Sequence, residues 1–227
     1  MKTLLLRTLT GILYLFVIGF AFFFSPSSLI SVFSLFLFIA LFEYIHLAQK
    51  FPVLKSKMQR ITLHLLLPIV WIIFPVALLI YWCTILNATN IMVALFIILC
   101  MNDTLAYVFG SLFGKHKIYP KISPKKSWEG FFGGLIFTII AIYFLIHITY
   151  FQSDIFTSPY IWMSFAFVVI ISGTFGDFAE SMIKRFAQQK DSGAILPGHG
   201  GILDRIDSML FAVPVGFIYW GIVALCQ

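Results

Sequence analysis

Charged side chains are scarce in this sequence. Asp, Glu, Lys and Arg make up 11% of its 227 residues, less than half of the roughly 25% usual in soluble proteins. So little charge excludes an ordinary soluble domain. Cysteine is as sparse. Cys83, Cys100 and Cys226 stand apart with no C-x-x-C spacing, so neither a disulfide framework nor a zinc site is indicated, and the three are expected to pack as small hydrophobes. There is no internal repeat and no low-complexity linker. Lys and Arg are missing altogether from three stretches, 24–28, 83–89 and 151–158.

What fills the sequence instead is apolar: hydrophobic residues are 61% and aromatics 18% of the chain, and the mean hydropathy is +1.01. A membrane-spanning helix needs about 20 consecutive, mostly apolar residues. Seven stretches meet that need: 4–24, 29–48, 61–82, 90–112, 128–150, 159–178 and 206–226. Backbone amides must be paired within hydrocarbon, so the expected fold is all-α, a polytopic integral membrane protein of about seven helices. Basic residues set its orientation. Lys2 and Arg7 precede or enter the first span; Lys50, Lys55, Lys57 and Arg60 follow the second; Lys115, Lys117, Lys121, Lys125 and Lys126 follow the fourth; Lys184, Arg185, Lys190 and Arg205 follow the sixth. With seven spans and a cytoplasmic N-terminus, all 15 fall on the cytoplasmic side, as the positive-inside rule requires. The net charge of +6 is then topogenic and directed at membrane lipids rather than at nucleic acid. The first span starts like a signal peptide, but 21-AFFFSPSS-28 offers no A-x-A cleavage site, so an uncleaved anchor is expected. Pro68, Pro75 and Pro214 are expected to kink their helices.

Against this background each acidic residue stands out. Asp103 falls inside the fourth span, in 99-LCMNDTLAYVFG-110. A carboxylate there costs at least ~2.5 kcal/mol, so it should face the bundle interior or a wet cavity. Glu129 opens the fifth span and Asp177 closes the sixth. Glu43 and His46, on one face of the second span, are expected to make a helix-to-helix contact. Asp177, Ser181 and Lys184 share one face of a helix leaving the membrane, and Glu180 with Lys184 is a favourable i,i+4 pair. The glycines and proline of 193-GAILPGHGG-201 end that helix and could present N–H groups to phosphate oxygens. A new helix starting near Leu203 places Asp204 and Asp207 in its first turn. In 114-GKHKIYPKISPKKSWEG-130, five lysines precede a span, and Ser123 to Gly130 reads as a turn and helix start able to hold a phosphate. Gly130 and Gly134 form a G-x-x-x-G suited to close helix packing. Acids and bases gathered at one membrane face suggest a metal and an anionic ligand.

These residues carry a resemblance. Ser181, Lys184, Arg185, Lys190, Asp191, Gly193, Pro197, His199, Gly200, Gly201, Asp204, Arg205 and Asp207, at their spacing, resemble the signature of the phosphatidate cytidylyltransferase family, the CDP-diacylglycerol synthases. Asp103-Thr104-Leu105-Ala106-Tyr107 is similar to the family's D-[ST]-G-A-Y, with Leu105 in the glycine position. The stretch 123-SPKKSWEG-130 is similar to S-P-x-K-[ST]-x-E-G. The likeness is close over about 99–215; the first hundred residues match only as apolar spans.

The resemblance implies transfer of a cytidylyl group from CTP to phosphatidate with release of pyrophosphate. It implies one membrane domain, with N-terminal helices over 1–98 and a catalytic region over 99–227 carrying cytoplasmic loops 113–127 and 179–205. Asp177, Asp204, Lys184, Arg205 and His199 are its expected catalytic residues. Asp103, Ser123, Lys125, Lys126, Ser127, Glu129, Ser181, Arg185, Lys190, Asp191, Gly200, Gly201 and Asp207 are expected to bind substrate. Mg²⁺, with K⁺ as a second cation, and a homodimer in the bacterial cytoplasmic membrane are also implied. Asp177 and Asp204 are the expected metal ligands, because two carboxylates brought together at low dielectric repel unless a cation lies between them. A related CTP-dependent lipid enzyme, such as an archaeal-type lipid cytidylyltransferase or a polyprenol kinase, is the alternative. A transporter fits less well, since the polar residues gather at one face rather than along a path.

Overall fold

The computed structural model describes residues 2–52, 57–148, 155–195 and 200–226. Lys55 and His199 lie outside the described residues, as do the side chains of Lys2, Arg7, Lys57 and Arg60. Helix α1 (Lys2–Phe23) is followed by α2 (Pro26–Ala48). Ser25 starts α2 with a capping box: its hydroxyl accepts from the Ser28 amide while Ser28 Oγ accepts from the Ser25 amide, both at 3.0 Å.

A continuous helical run then passes from α3 (Lys57–Ile61) through two π-helical turns, Thr62–Leu66 and Ile69–Ile73, into α4 (Phe74–Thr84). The prolines expected to kink this span explain the widened turns. Each proline lacks an N–H and its ring crowds the carbonyl four residues earlier. For Pro68 and Pro75 those carbonyls belong to His64 and Trp71, one within each π turn, and the wider turn relieves the clash.

Helix α5 (Thr89–Phe113) leads into a hairpin of β1 (Lys117–Tyr119) and β2 (Ser123–Ser127), then α6 (Trp128–Ile148), α7 (Pro159–Phe186) and α8 (Leu203–Leu225). Six helical stretches are long and apolar enough to cross a membrane, and Leu9–Phe23 of α1 is a shorter apolar helix among the described residues. Every expected span coincides with one of these. One expectation is corrected. The 113–127 segment is a strand hairpin rather than a turn alone, with Lys117 opposite Ser127 and Tyr119 opposite Ser123. The helix expected to leave the membrane through Asp177, Ser181 and Lys184 runs to Phe186, so α7 carries Ser181, Lys184 and Arg185 on a rigid extension.

The interior holds large apolar groups, with Trp82, Phe33 and Phe165 fully enclosed. The outward surface is apolar too: Phe16, Phe23, Phe38 and Val70 are all exposed. In water that surface would drive aggregation; against lipid it is the expected exterior of a membrane protein.

The helices pair as close hairpins, α5 with α6 and α7 with α8. Small residues permit this. A Cβ on Gly130 would sit 2.7 Å from the Ala106 carbonyl oxygen, and one on Gly176 2.6 Å from that of Asp207. The second approach matters most, since it sets Asp177 of α7 beside the start of α8.

Candidate active site

The α7–α8 connection is organised around Asp204. Its Oδ1 accepts a hydrogen bond from Lys184 Nζ at 2.6 Å. Its Oδ2 accepts from the Gly201 amide at 2.7 Å, the Ser192 amide at 3.0 Å and the Ser192 hydroxyl at 2.9 Å. Lys184 also forms an ion pair with Glu180, one turn earlier and fully buried. Gly200 takes φ +83°, and a Cβ there would stand 2.6 Å from Asp204 Oδ2, so conformation and space both require glycine. The amide of Gly201, expected to face phosphate, is already committed to Asp204. The amides of Ile202 and Leu203 donate to Glu43 of α2 at 3.1 and 2.9 Å.

A second group forms where β2 meets α7. Lys126 makes an ion pair with Asp177 and lies over the Phe178 ring, 4.7 Å from its centre. Ser181 Oγ reaches Asp177 Oδ1 at 3.4 Å. Several residues expected to meet substrate make contacts within the scaffold. Ser127 is buried, and its hydroxyl accepts from the Gly130 amide at 3.2 Å, capping α6. Glu129 accepts from the His116 amide at 3.1 Å and pairs with His116 Nδ1 at 2.6 Å, closing the base of the hairpin. Arg185 donates from Nε to the Ile122 carbonyl and from a terminal nitrogen to the Gln189 carbonyl, each at 3.2 Å, tying the hairpin to the end of α7. Ser123 sits in β2, half-buried, while Lys125, Lys190 and Asp191 are exposed.

The acids form a string. The charge of Asp177 bears on Asp103 and Asp207, that of Asp207 on Glu180, and that of Asp204 on Glu180 and Glu43. Lys126, Lys184 and Arg205 are interspersed among them. Asp207 is buried and accepts from the Ser208 amide at 2.7 Å. Among the described residues, no group of three or more His, Cys, Asp or Glu side chains is arranged to hold a metal. Asp177 and Asp204, expected to share one cation, each hold a lysine.

Asp103 stands on the wall of two cavities. One, of about 220 Å³, is bordered by Tyr107, Lys125, Lys126 and Asp177. The other, of about 410 Å³, runs between α1 and α5 past Phe22, Phe96 and Ile97, and ends at Asp204, Arg205 and Asp207. Tyr14 lines it and donates to the Arg205 carbonyl at 3.3 Å.

The family profile described as "Cytidylyltransferase family" matches residues 2–223. The chain belongs to the cytidylyltransferase family. Within it, the chain is similar to proteins named phosphatidate cytidylyltransferase. The one from Staphylococcus haemolyticus is 46% identical over 122 residues, which is 53% of this chain and 45% of the relative. Those from Staphylococcus epidermidis and Staphylococcus aureus are 45% and 44% identical over the same length. The match thus spans under half of each curated relative.

Three residues of this candidate site are not singled out by the sequence motifs. Glu43 makes the expected helix-to-helix contact, from α2 to the start of α8, but its place against the signature loop is not encoded locally. Ser192 has no charge to draw notice, yet its hydroxyl lies between two carboxylates. Asn102 precedes Asp103, and its buried Oδ1, beside the smaller cavity, has no hydrogen-bond partner among the described residues.

Proposed function

We propose that this protein is a phosphatidate cytidylyltransferase, converting CTP and phosphatidate to CDP-diacylglycerol and pyrophosphate. The observation that carries the reading is the meeting of two unlike cavities at Asp103: a lysine-lipped recess beside the cytoplasmic loops and a mostly apolar groove between α1 and α5. A nucleotide triphosphate suits the first, and a headgroup with acyl chains suits the second. In the reaction, a phosphatidate phosphate oxygen, already ionised at neutral pH, attacks the α-phosphorus of CTP. The new P–O bond forms as the bond to the bridging oxygen breaks, and pyrophosphate leaves with the electron pair. No general base is needed, so the protein's task is positioning and neutralising charge. Lys126 and Lys184, now paired to Asp177 and Asp204, are the groups suited to receive phosphate oxygens, with Arg205 at the mouth of the groove.

The string of acids supports a divalent cation. Asp103, Asp177, Glu180, Asp204 and Asp207 stand against Lys126, Lys184 and Arg205, an excess of carboxylate. Mg²⁺ is characteristically bound by one or two carboxylates together with substrate phosphates. Asp177 and Asp204 are the residues that would hold it, with K⁺ beside it as the resemblance implies. Bound there, Mg²⁺ supplies neutralisation of the developing pyrophosphate charge. The same reading has a homodimer in the bacterial cytoplasmic membrane, with its site on the cytoplasmic side where the basic loops collect.

Incubating detergent-purified protein with labelled CTP, phosphatidate and Mg²⁺ tests the reaction. Label should pass into the organic phase only when phosphatidate is supplied. Transfer to a polyprenol or an archaeal-type ether lipid instead, or no transfer across several acyl compositions, would replace this reading.

A further inference from the structure

We infer that Glu43, far from the signature in sequence, is a positioning residue that fixes Asp204 in its working orientation; the inference rests on the cytidylyltransferase reading above. Glu43 is 2% exposed, a carboxylate enclosed near the end of a membrane helix. Such a group persists only when its oxygens are fully engaged. Oε1 accepts from the Ile202 amide at 3.1 Å, and Oε2 from the Leu203 amide at 2.9 Å and the Ser192 hydroxyl at 3.2 Å.

The Ser192 hydroxyl is also within 2.9 Å of Asp204 Oδ2. It has one proton and faces two carboxylates, so Glu43 and Asp204 compete for it. Their closeness is made tolerable by four backbone amides, those of Ser192, Gly201, Ile202 and Leu203, and by the positive end of α8. Gly193 and Gly201 belong to the same arrangement. A Cβ on either would collide with the Glu43 carboxylate. Two of the signature's glycines therefore make room for an acid contributed by another part of the chain.

The division of labour has a consequence for Asp204. A carboxylate in the first turn of a helix ordinarily turns back onto the free amides there. Glu43 already satisfies the amides of 202 and 203, which leaves Asp204 Oδ1 directed at Lys184. Replacing Glu43 by Gln removes one acceptor and sets an NH₂ against an N–H. One of the two amides then loses its partner, and Asp204 is drawn toward it and away from Lys184.

Four measurements on the 227-residue chain decide the matter, each beside active wild type, without which the functional reading rather than this inference has failed. E43Q should lower kcat by roughly 10- to 100-fold with little change in KM for phosphatidate and a melting temperature near wild type. Amide hydrogen exchange over 200–208 should quicken in the same variant. S192A, which removes only the shared hydroxyl, should lower kcat by about 3-fold, and the E43Q/S192A double variant should lose less than the product of the two. Wild-type kcat in E43Q, or losses that simply multiply in the double variant, would overturn the inference. If E43Q does not fold, S192A decides alone: a kcat drop at unchanged KM and melting supports the role, and wild-type kinetics reject it.

Discussion

Asp204, at the start of α8, and Asp177, inside α7, belong to one helical hairpin, yet the ground around them differs. Asp204 is held by two backbone amides, a hydroxyl and Lys184, and behind it stands the buried Glu43. Asp177 is held by Lys126, from a strand hairpin outside the bundle, and by a long contact from Ser181. The Lys126 and Asp177 side chains are 29% and 28% exposed, whereas Lys184 and Asp204 are 12% and 7% exposed. Exposed ion pairs contribute about 0–1 kcal/mol, so a polyanionic substrate can part Lys126 from Asp177 at little cost. The Asp204 side of the site is preorganised, and the Asp177 side is the one that can open.

The largest effects should come from breaking each half. Asp204→Asn keeps one acceptor for the loop amides but strips Lys184 of its second carboxylate in a largely enclosed setting, a loss of about 3 kcal/mol. Activity should fall ~10²-fold or more, and the melting temperature in detergent should drop. Asp177→Asn should lose activity to a similar extent while melting like wild type. Equal melting of the two variants would erase the contrast between the regions, and near-normal turnover in both would remove them from metal binding.

A smaller effect separates neighbouring lysines on β2. Lys126 pairs with Asp177 and covers Phe178, while Lys125 is exposed. Lys126→Ala should raise KM for CTP or reduce kcat by about 10-fold. Lys125→Ala should cost about 3-fold, an amount that disappears at high salt because an exposed charge is screened. Equal and salt-insensitive losses would mean that both lysines enter the site.

How much of this was legible follows from what each feature depends on. The spans could be read because lipid demands long apolar runs, and the one-sided placement of Lys and Arg supports them independently. The close packing at Gly130 and Gly134 was legible from small residues at helical spacing. The hairpin was not: 123-SPKKS-127 has a proline and two lysines, poor strand formers. It is held by partners outside itself, Glu129 on His116 and Arg185 on Ile122. The π turns had only Pro68 and Pro75 to announce them. Glu43 was visible as a costly acid in a membrane helix, but its partners lie 149 to 160 residues away, and no local pattern encodes that distance. For the same reason, glycines that read as a phosphate cradle turn out in part to be clearance for a carboxylate.

The smallest effect concerns Arg185, and it asks whether the hairpin side is positioned from α7. The resemblance makes Arg185 a substrate-binding residue; its observed contacts are with the carbonyls of Ile122 in the hairpin turn and Gln189 beyond the helix. If those contacts are its role, Arg185 acts through Lys126. Arg185→Ala should then lower kcat/KM by no more than about 3-fold, since an exposed hydrogen bond contributes roughly 1 kcal/mol or less. The melting temperature should not move, because α7 and β2 keep their own contacts. Arg185→Lys should recover only part of the loss, as an ammonium can reach one carbonyl but not fork to two. The Arg185→Ala/Lys126→Ala double variant should be no worse than Lys126→Ala alone: once the lysine is gone, fixing the strand that carries it has no further effect on the site. Losses that multiply would instead mean that Arg185 meets a phosphate in its own right, and that its carbonyl contacts are a resting position which substrate displaces.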